Sequence, residues 1–344
     1  MSGRTRPVLF AILLALVSSA TRGEEEKSEQ IWLRPVALFD QHLYEGALAE
    51  PRGIFYDAAS KEVWVADTRN GRIGVFTPEG IPLFSFGNTD KLREPIRLAV
   101  AKNGEVYVLG IERGRIERFS YRGEYLGPLS LPGVPAKPVF GTIAVDADGN
   151  LWVGENETGQ VLGFSPSLKP LLRLGSSGDG EGQFLAIAGI AVSKDYVVVT
   201  DHTALAVQVF DRRGNFVKGW GKHEMGREHF SLPEGVALDK QNRIIVADAL
   251  RHEIKLFDLE GNFLDRFGGL GSKAGNVSYP SDVAMDAGGH VFVAERGNNR
   301  IQVFVETAEP PLDARSKPQA DRKEPVSPAE RTRVSPDSPK DSNR

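Results

Sequence analysis

Six histidines and no cysteine bound the chemistry this chain can perform. Without cysteine there are no disulfides, thiolate zinc sites, iron–sulfur clusters or sulfur nucleophiles. Four of the histidines, His202, His223, His229 and His252, fall in one stretch of the chain. They are the candidate metal ligands, since zinc needs three nitrogen or oxygen donors converging at about 2 Å. His42 and His290 sit in a loop and a turn without an obvious partner. Asp179-Gly180-Glu181 lies in a glycine-rich stretch but lacks the alternating Asp/Asn ligands of a calcium loop, so it reads as a linker. No Gly-x-Ser-x-Gly elbow, phosphate-binding loop or His-Glu-x-x-His is present.

The carboxylates carry a clearer pattern. Asp67, Glu155, Asp201, Asp248 and Glu295 each end a short apolar run. With Gly110 in the remaining place, these positions are 43, 45, 46, 47 and 47 residues apart. A residue that recurs once per repeat does a once-per-repeat task. The expected task is to accept hydrogen bonds from backbone N–H groups of the loop that follows, not to bind metal. Arg72 and Arg300, at the end of Asn-Gly-Arg and Asn-Asn-Arg, recur similarly and are expected to lie along the surface of their repeats.

These residues belong to a unit of four short strands. The acid-ended runs are 63–67, 106–110, 151–155, 197–201, 244–248 and 291–295. A second run begins six residues after each of them, and all six copies (73–76, 116–119, 161–164, 207–210, 254–257, 301–304) close on phenylalanine. Ahead of each lies an apolar run at 54–56, 98–100, 143–145, 190–192, 236–238 and 283–285. Turns such as Asn103-Gly104 and Asp148-Gly149-Asn150 supply the positive φ that tight hairpins demand. A fourth strand follows another turn at 83–86, 125–129, 171–174, 217–220 and 264–267.

Four antiparallel strands every ~45 residues is the pattern of a β-propeller blade. A sandwich lacks such regular repetition, and horseshoe repeats are shorter, at ~20–29 residues. The predicted fold class is therefore all-β: a six-bladed propeller of four-stranded antiparallel blades. The sixth repeat stops after Phe304, while an orphan apolar strand occupies 31–39. Phe39 precedes Pro51 by 12 residues and Phe267 precedes Pro280 by 13, so Phe39 sits where a fourth strand should end. The N-terminal strand is expected to complete the last blade and close the ring, which leaves no long unpaired edge.

The strings Glu50-Pro-Arg-Gly-Ile54, Val65-Ala-Asp-Thr-Arg-Asn-Gly-Arg-Ile73, Leu232-Pro-Glu-Gly-Val236 and Glu295-Arg-Gly-Asn-Asn-Arg-Ile-Gln-Val-Phe304 resemble NHL repeats. So does the linker Gly175-Ser-Ser-Gly-Asp-Gly-Glu-Gly-Gln-Phe184. The resemblance covers about residues 31–305 and departs in the second repeat, where Gly110 replaces the acid. It implies a six-bladed propeller that acts as a binding platform. One enzyme of the family, the peptidyl-hydroxyglycine amidating lyase, holds zinc through three central histidines. None of the inner positions of this chain is histidine, so that geometry is not carried over.

The ends read differently. Residues 1–20 combine Arg4 and Arg6, an apolar run at 8–17 and small residues up to Ala20, which describes a secretory signal. The run is too short to span a ~30 Å hydrocarbon core. Residues 21–30 form a linker and 31–305 the propeller. Residues 306–344, with seven prolines and no aromatic, are expected to form a disordered charged tail. The 344 residues carry 42 Lys+Arg against 46 Asp+Glu. That mildly acidic balance argues against nucleic-acid binding, which needs clustered cations. The expected location is periplasmic or secreted, with no membrane span after cleavage.

Strand direction alternates, so the starts of the first strands and the ends of the acid-ended strands open on one face. The first-strand starts contribute Arg52, Arg97, Thr142, Gly189, Glu234 and Asp282. A wider ring includes Thr68, Arg69, Glu112, Arg113, Asn156, Glu157, His202, Arg251 and Arg296. Arginines cluster on the first two repeats and acids on the last two, a bipolar mouth for a charged peptide or protein segment. The expected function is thus a non-enzymatic binding or assembly module without a cofactor, whose partner is an exported or membrane-associated protein or peptide. Charge reversal at Arg52 and Arg97 is expected to abolish capture without changing thermal stability. The alternative is a metal-dependent lyase or hydrolase using the histidines of repeats four and five.

Overall fold

A computed structural model describes residues 32–42, 46–87, 89–221, 226 and 228–307. The expected signal (1–20), linker (21–30), residues 308–344 of the tail, and His223 lie outside the described residues.

The described chain forms six four-stranded antiparallel blades. The first is Pro51–Asp57, Glu62–Asp67, Arg72–Phe76 and Pro82–Gly87. The second is Pro95–Val100, Val106–Gly110, Ile116–Phe119 and Tyr125–Pro128. The third is Phe140–Val145, Leu151–Glu155, Gln160–Phe164 and Pro170–Leu174. The fourth is Ile187–Val192, Tyr196–Asp201, Val207–Asp211 and Phe216–Trp220. The fifth is Pro233–Leu238, Ile244–Asp248, Glu253–Phe257 and Phe263–Gly268. The sixth joins Pro280–Met285, His290–Glu295 and Arg300–Thr307 to the N-terminal strand Trp32–Phe39.

The first strands of adjacent blades neighbour one another all the way round, so they line the axis. Six apolar clusters follow from this arrangement, one at each junction between blades. The second strands are packed on both sides, which is why Ile244–Asp248 reads as an unbroken apolar run and is buried throughout. Outermost strands such as Tyr125–Pro128 are largely exposed.

Closure of the ring is visible in register and in packing. Trp32 pairs with Thr307 and Phe39 with Ile301, two residues beyond the boundary the sequence places at 305. Phe39 packs with Phe76 at 5.0 Å between ring centroids, in the cluster that joins the last blade to the first. Gly80 explains the fit. It turns at φ +88°, and a Cβ there would lie 2.5 Å from the Phe39 ring. Gly123 meets Phe86 of the first blade in the same way, at 2.3 Å, so Phe39 occupies a regular fourth-strand position.

Candidate functional site

The five recurrent acids are fully buried. Each caps the connection that leads into its own blade. Asp67 accepts the Ala49 amide at 2.7 Å, Glu155 that of Val139 at 3.0 Å, and Asp201 those of Leu185 and Ala186 at 2.9 and 2.8 Å. Asp248 accepts Ser231 and Leu232, and Glu295 accepts Ser278. The following loop contributes amides in the third and fourth blades, from Glu157 and Thr158 and from Thr203 and Ala204. Sequence reasoning expected donors from that loop alone. The incoming connection leaves no mark in the sequence because its donors lie 15–18 residues upstream, where any residue type but proline presents the same N–H.

The first, fifth and sixth blades add a buried cation. Arg72 donates to Asp67 at 2.6 Å and Arg300 to Glu295 at 2.8 Å, and both also reach backbone carbonyls. Neither lies along the blade surface, as the sequence led one to expect, because the buried carboxylate draws the guanidinium inward. Lys255 fills the equivalent role, with Nζ 3.0 Å from Asp248 and both side chains wholly buried. Burial pushes the Lys255 ammonium below its ordinary range, against the pull of Asp248.

At the centre of the face where these acids end, the structure revises the bipolar mouth. Arg97 is 7% exposed and spans the axis. Its Nη1 donates to the Arg52 carbonyl at 3.0 Å. Its Nη2 lies 3.3 Å from the Ala188 carbonyl, 3.1 Å from Glu234 Oε2 and 3.3 Å from the Ser281 carbonyl. Nε stands 4.0 Å from Asp282 Oδ2. One side chain of the second blade thus ties together the first, fourth, fifth and sixth. Below it a shaft of about 170 Å³ runs between the first strands, with Thr142 and Gly189 on its wall and Arg97 and Asp282 at its end.

The acidic pole is consumed by this arrangement. Burial would raise the Glu234 carboxyl, but the neighbouring His202 and the charge of Arg97 bring it down to about 2. His202 Nε2 lies 3.5 Å from Glu234 Oε2. Asp282 accepts the amides of Ile54 and Val283, yet burial pushes it up to about 6.

The remaining arginines stay at the rim. Arg52 is partly exposed, its Nη2 3.8 Å from Glu50 and its buried Nε without a hydrogen-bond partner. Arg69 is largely exposed and pairs with Glu50 at 3.1 Å. Arg113 is half-buried, and its guanidinium is pushed below its ordinary range by burial and by Arg97. Arg296 lies over the Tyr279 ring at 5.4 Å.

The described histidines do not converge. His252 accepts the Tyr279 amide on Nδ1 at 3.0 Å and packs edge-on against that ring, and burial lowers its affinity for a proton. His229 Nε2 lies 3.5 Å from Glu228. Among the described residues, no three His, Asp or Glu side chains are gathered to hold a metal, so zinc of the lyase kind does not fit them.

Comparison with known proteins agrees with this architecture. An NHL repeat profile matches residues 48–76 and 277–304, and a 6-bladed beta-propeller profile matches 147–268. No curated protein matches the chain. Among solved structures, a streptogramin B lyase superposes with a TM-score of 0.59 at 13% identity, covering 82% of this chain and 100% of that one. A luciferin-regenerating enzyme gives 0.58 at 14%, covering 80% and 95%. A gluconolactonase from Xanthomonas campestris gives 0.56 at 15%, covering 75% and 86%. At such identities the likeness concerns the fold alone.

Proposed function

We propose that this six-bladed propeller with NHL repeats is an exported binding module that takes an acidic segment of a protein or peptide partner at its plugged mouth. The observation that carries the reading is that Arg97 pairs with Glu234 and stands beside Asp282 within the ring. With the acids of the fifth and sixth blades held inside the ring, the rim cations that can meet a ligand are Arg52 and Arg69, which share Glu50, together with Arg113 and Arg296. Their rigid scaffold holds them ready, which limits the ordering entropy lost on binding. Export rests on residues 1–20; among the described residues no helix is long and apolar enough to cross a membrane.

The test uses a fluorescein-labelled Asp/Glu-rich dodecapeptide and the R52E/R296E variant. Binding at least tenfold weaker, with an unchanged unfolding midpoint, is expected. Equal binding by both proteins overturns the reading.

A metal-dependent lyase or hydrolase is the second reading, for which His202 beside Glu234 offers two donors at the mouth, short of the three a zinc site needs among the described residues. Metal analysis before and after chelation separates the two. Stoichiometric zinc that is lost in His202→Ala would supplant the binding module.

A further inference from the structure

Gly110 pairs with Pro95 in the register that pairs Pro51 with Asp67, Phe140 with Glu155, Ile187 with Asp201, Pro233 with Asp248 and Pro280 with Glu295. The second blade therefore lacks the carboxylate the other five possess, but it keeps the groups that would bind one. Arg93, two residues before Pro95, matches Ala49, Leu185, Ser231 and Ser278, whose amides the acids cap. Among the described residues, the amides of Arg93 and Glu94 make no hydrogen bond. Arg115, five residues after Gly110, stands where Arg72 and Arg300 stand relative to Asp67 and Glu295. Deprived of that acid, it is 61% exposed and pairs with Glu117 instead.

A cavity of about 270 Å³ opens at this place, lined by Gly110, by the cations Lys91, Arg93, Arg113 and Arg115 and by the acids Asp90, Glu112 and Glu117, with Asp90 3.7 Å from the Arg93 guanidinium. Its buried acid, Glu117, accepts the Tyr125 hydroxyl at 2.8 Å on Oε2, while Oε1 faces Arg115 as an ion pair without a hydrogen bond, a contact that an incoming carboxylate would have to exchange. We propose that the second blade holds a carboxylate-binding pocket, in which an external carboxylate takes the place of the missing side chain between the Arg93 amide and the Arg115 guanidinium. Charge-assisted bonds from an amide and a guanidinium are the strong kind, and they act here in a partly desolvated notch. The pocket stands whether or not the mouth binds a peptide.

Thermal unfolding of the full chain in sodium acetate against sodium chloride of equal ionic strength reads the site, since a ligand bound by the folded state raises the midpoint. The wild type is expected to gain an acetate-specific rise that Arg115→Ala loses. G110D would carry its own carboxylate, but its Cβ would meet the Arg93 carbonyl oxygen at 2.9 Å, so R115A bears the test. Equal acetate responses in wild type and R115A overturn the proposal, as does no response in the wild type. The acidic dodecapeptide identifies the source. Peptide binding that acetate displaces and R115A weakens assigns the pocket to a partner's side chain. Peptide binding untouched by either, alongside the acetate rise, assigns it to small free carboxylates.

Discussion

Arg97 and Glu234 meet across the propeller axis, Nη2 to Oε2 at 3.1 Å, although 137 residues separate them in the chain. The contact joins the second blade to the fifth, and the same guanidinium holds carbonyls of the first, fourth and sixth. A side chain so placed is part of the frame, not a free ligand contact. Arg97→Met is therefore expected to lose about 3–5 kcal/mol of stability, because it strands two buried carboxylates without their cation. Arg52→Glu, at the partly exposed rim, is expected to stay within about 0.5 kcal/mol of the wild type. Urea unfolding of the two variants checks the contrast, and a stable R97M protein would contradict it.

The two acids around Arg97 give stability opposite dependences on pH. The folded-state value of Glu234, about 2, lies below its ordinary 4.5, so ionised Glu234 favours the folded state. That contribution is complete above the ordinary value and is lost as pH falls toward 2. Asp282, at about 6, lies above its ordinary 3.8, so its ionisation opposes folding. That penalty is present above about pH 6 and disappears as pH falls toward 4. Denaturation midpoints followed from pH 7.5 to 3 should show E234Q losing the acid-side fall relative to wild type. D282N should lose the rise between about pH 6 and 4. A D282N profile parallel to wild type in that window would refute the assignment.

Asp201 fixes both ends of its blade's upper face, taking the amides of Leu185, Ala186, Thr203 and Ala204. Asp201→Ala would leave these donors without their acceptor, and each buried donor left unmade costs about 1–3 kcal/mol. The expected loss exceeds 3 kcal/mol, and hydrogen exchange should quicken first at 185–186 and 203–204. Asp201→Asn keeps an oxygen for one pair of amides only, so it should fall between Ala and the wild type. Uniform exchange across the fourth blade in D201A would argue against a local cap.

The ring and its closure were legible because a propeller writes its period into the chain. Apolar second strands, phenylalanine-ended third strands and glycine turns repeat at nearly fixed spacing, and Phe39 falls at the missing place. The mouth was legible as a set of residues but not as an arrangement. Alternation of strands puts Arg52, Arg97, Glu234 and Asp282 on one face, yet nothing local to Arg97 says that its side chain lies across the axis. That outcome depends on the width of the shaft and on two acids brought near from the fifth and sixth blades. The inward turn of Arg72 and Arg300 escaped for a similar reason. An arginine on a strand edge reads as amphipathic, and only the buried acid opposite it decides which way the head points. Gly110 reads in the sequence as a departure from the repeat, whereas the open amide beside it and the turn of Arg115 to Glu117 emerge only in three dimensions.

Closure by Trp32–Phe39 carries a prediction of its own. The strand covers Arg300–Thr307, which would otherwise be an eight-residue edge with its outward-facing hydrogen-bonding groups open. Its last residue also seals the junction of the sixth and first blades, where Phe39 joins Phe76, Ile301 and Val303. Phe39→Ala removes that ring from a packed site and should cost about 3–5 kcal/mol. Deleting residues 24–40 should go further. The unfolding midpoint should fall, and the freed edge should recruit a second copy, giving dimers or larger species by light scattering at concentrations where the intact chain is monomeric. The two variants separate packing from pairing, since F39A keeps the backbone ladder. If the deletion left both the midpoint and the monomer content as they were, the N-terminal strand would be an ornament on a ring held shut by three-stranded contacts alone.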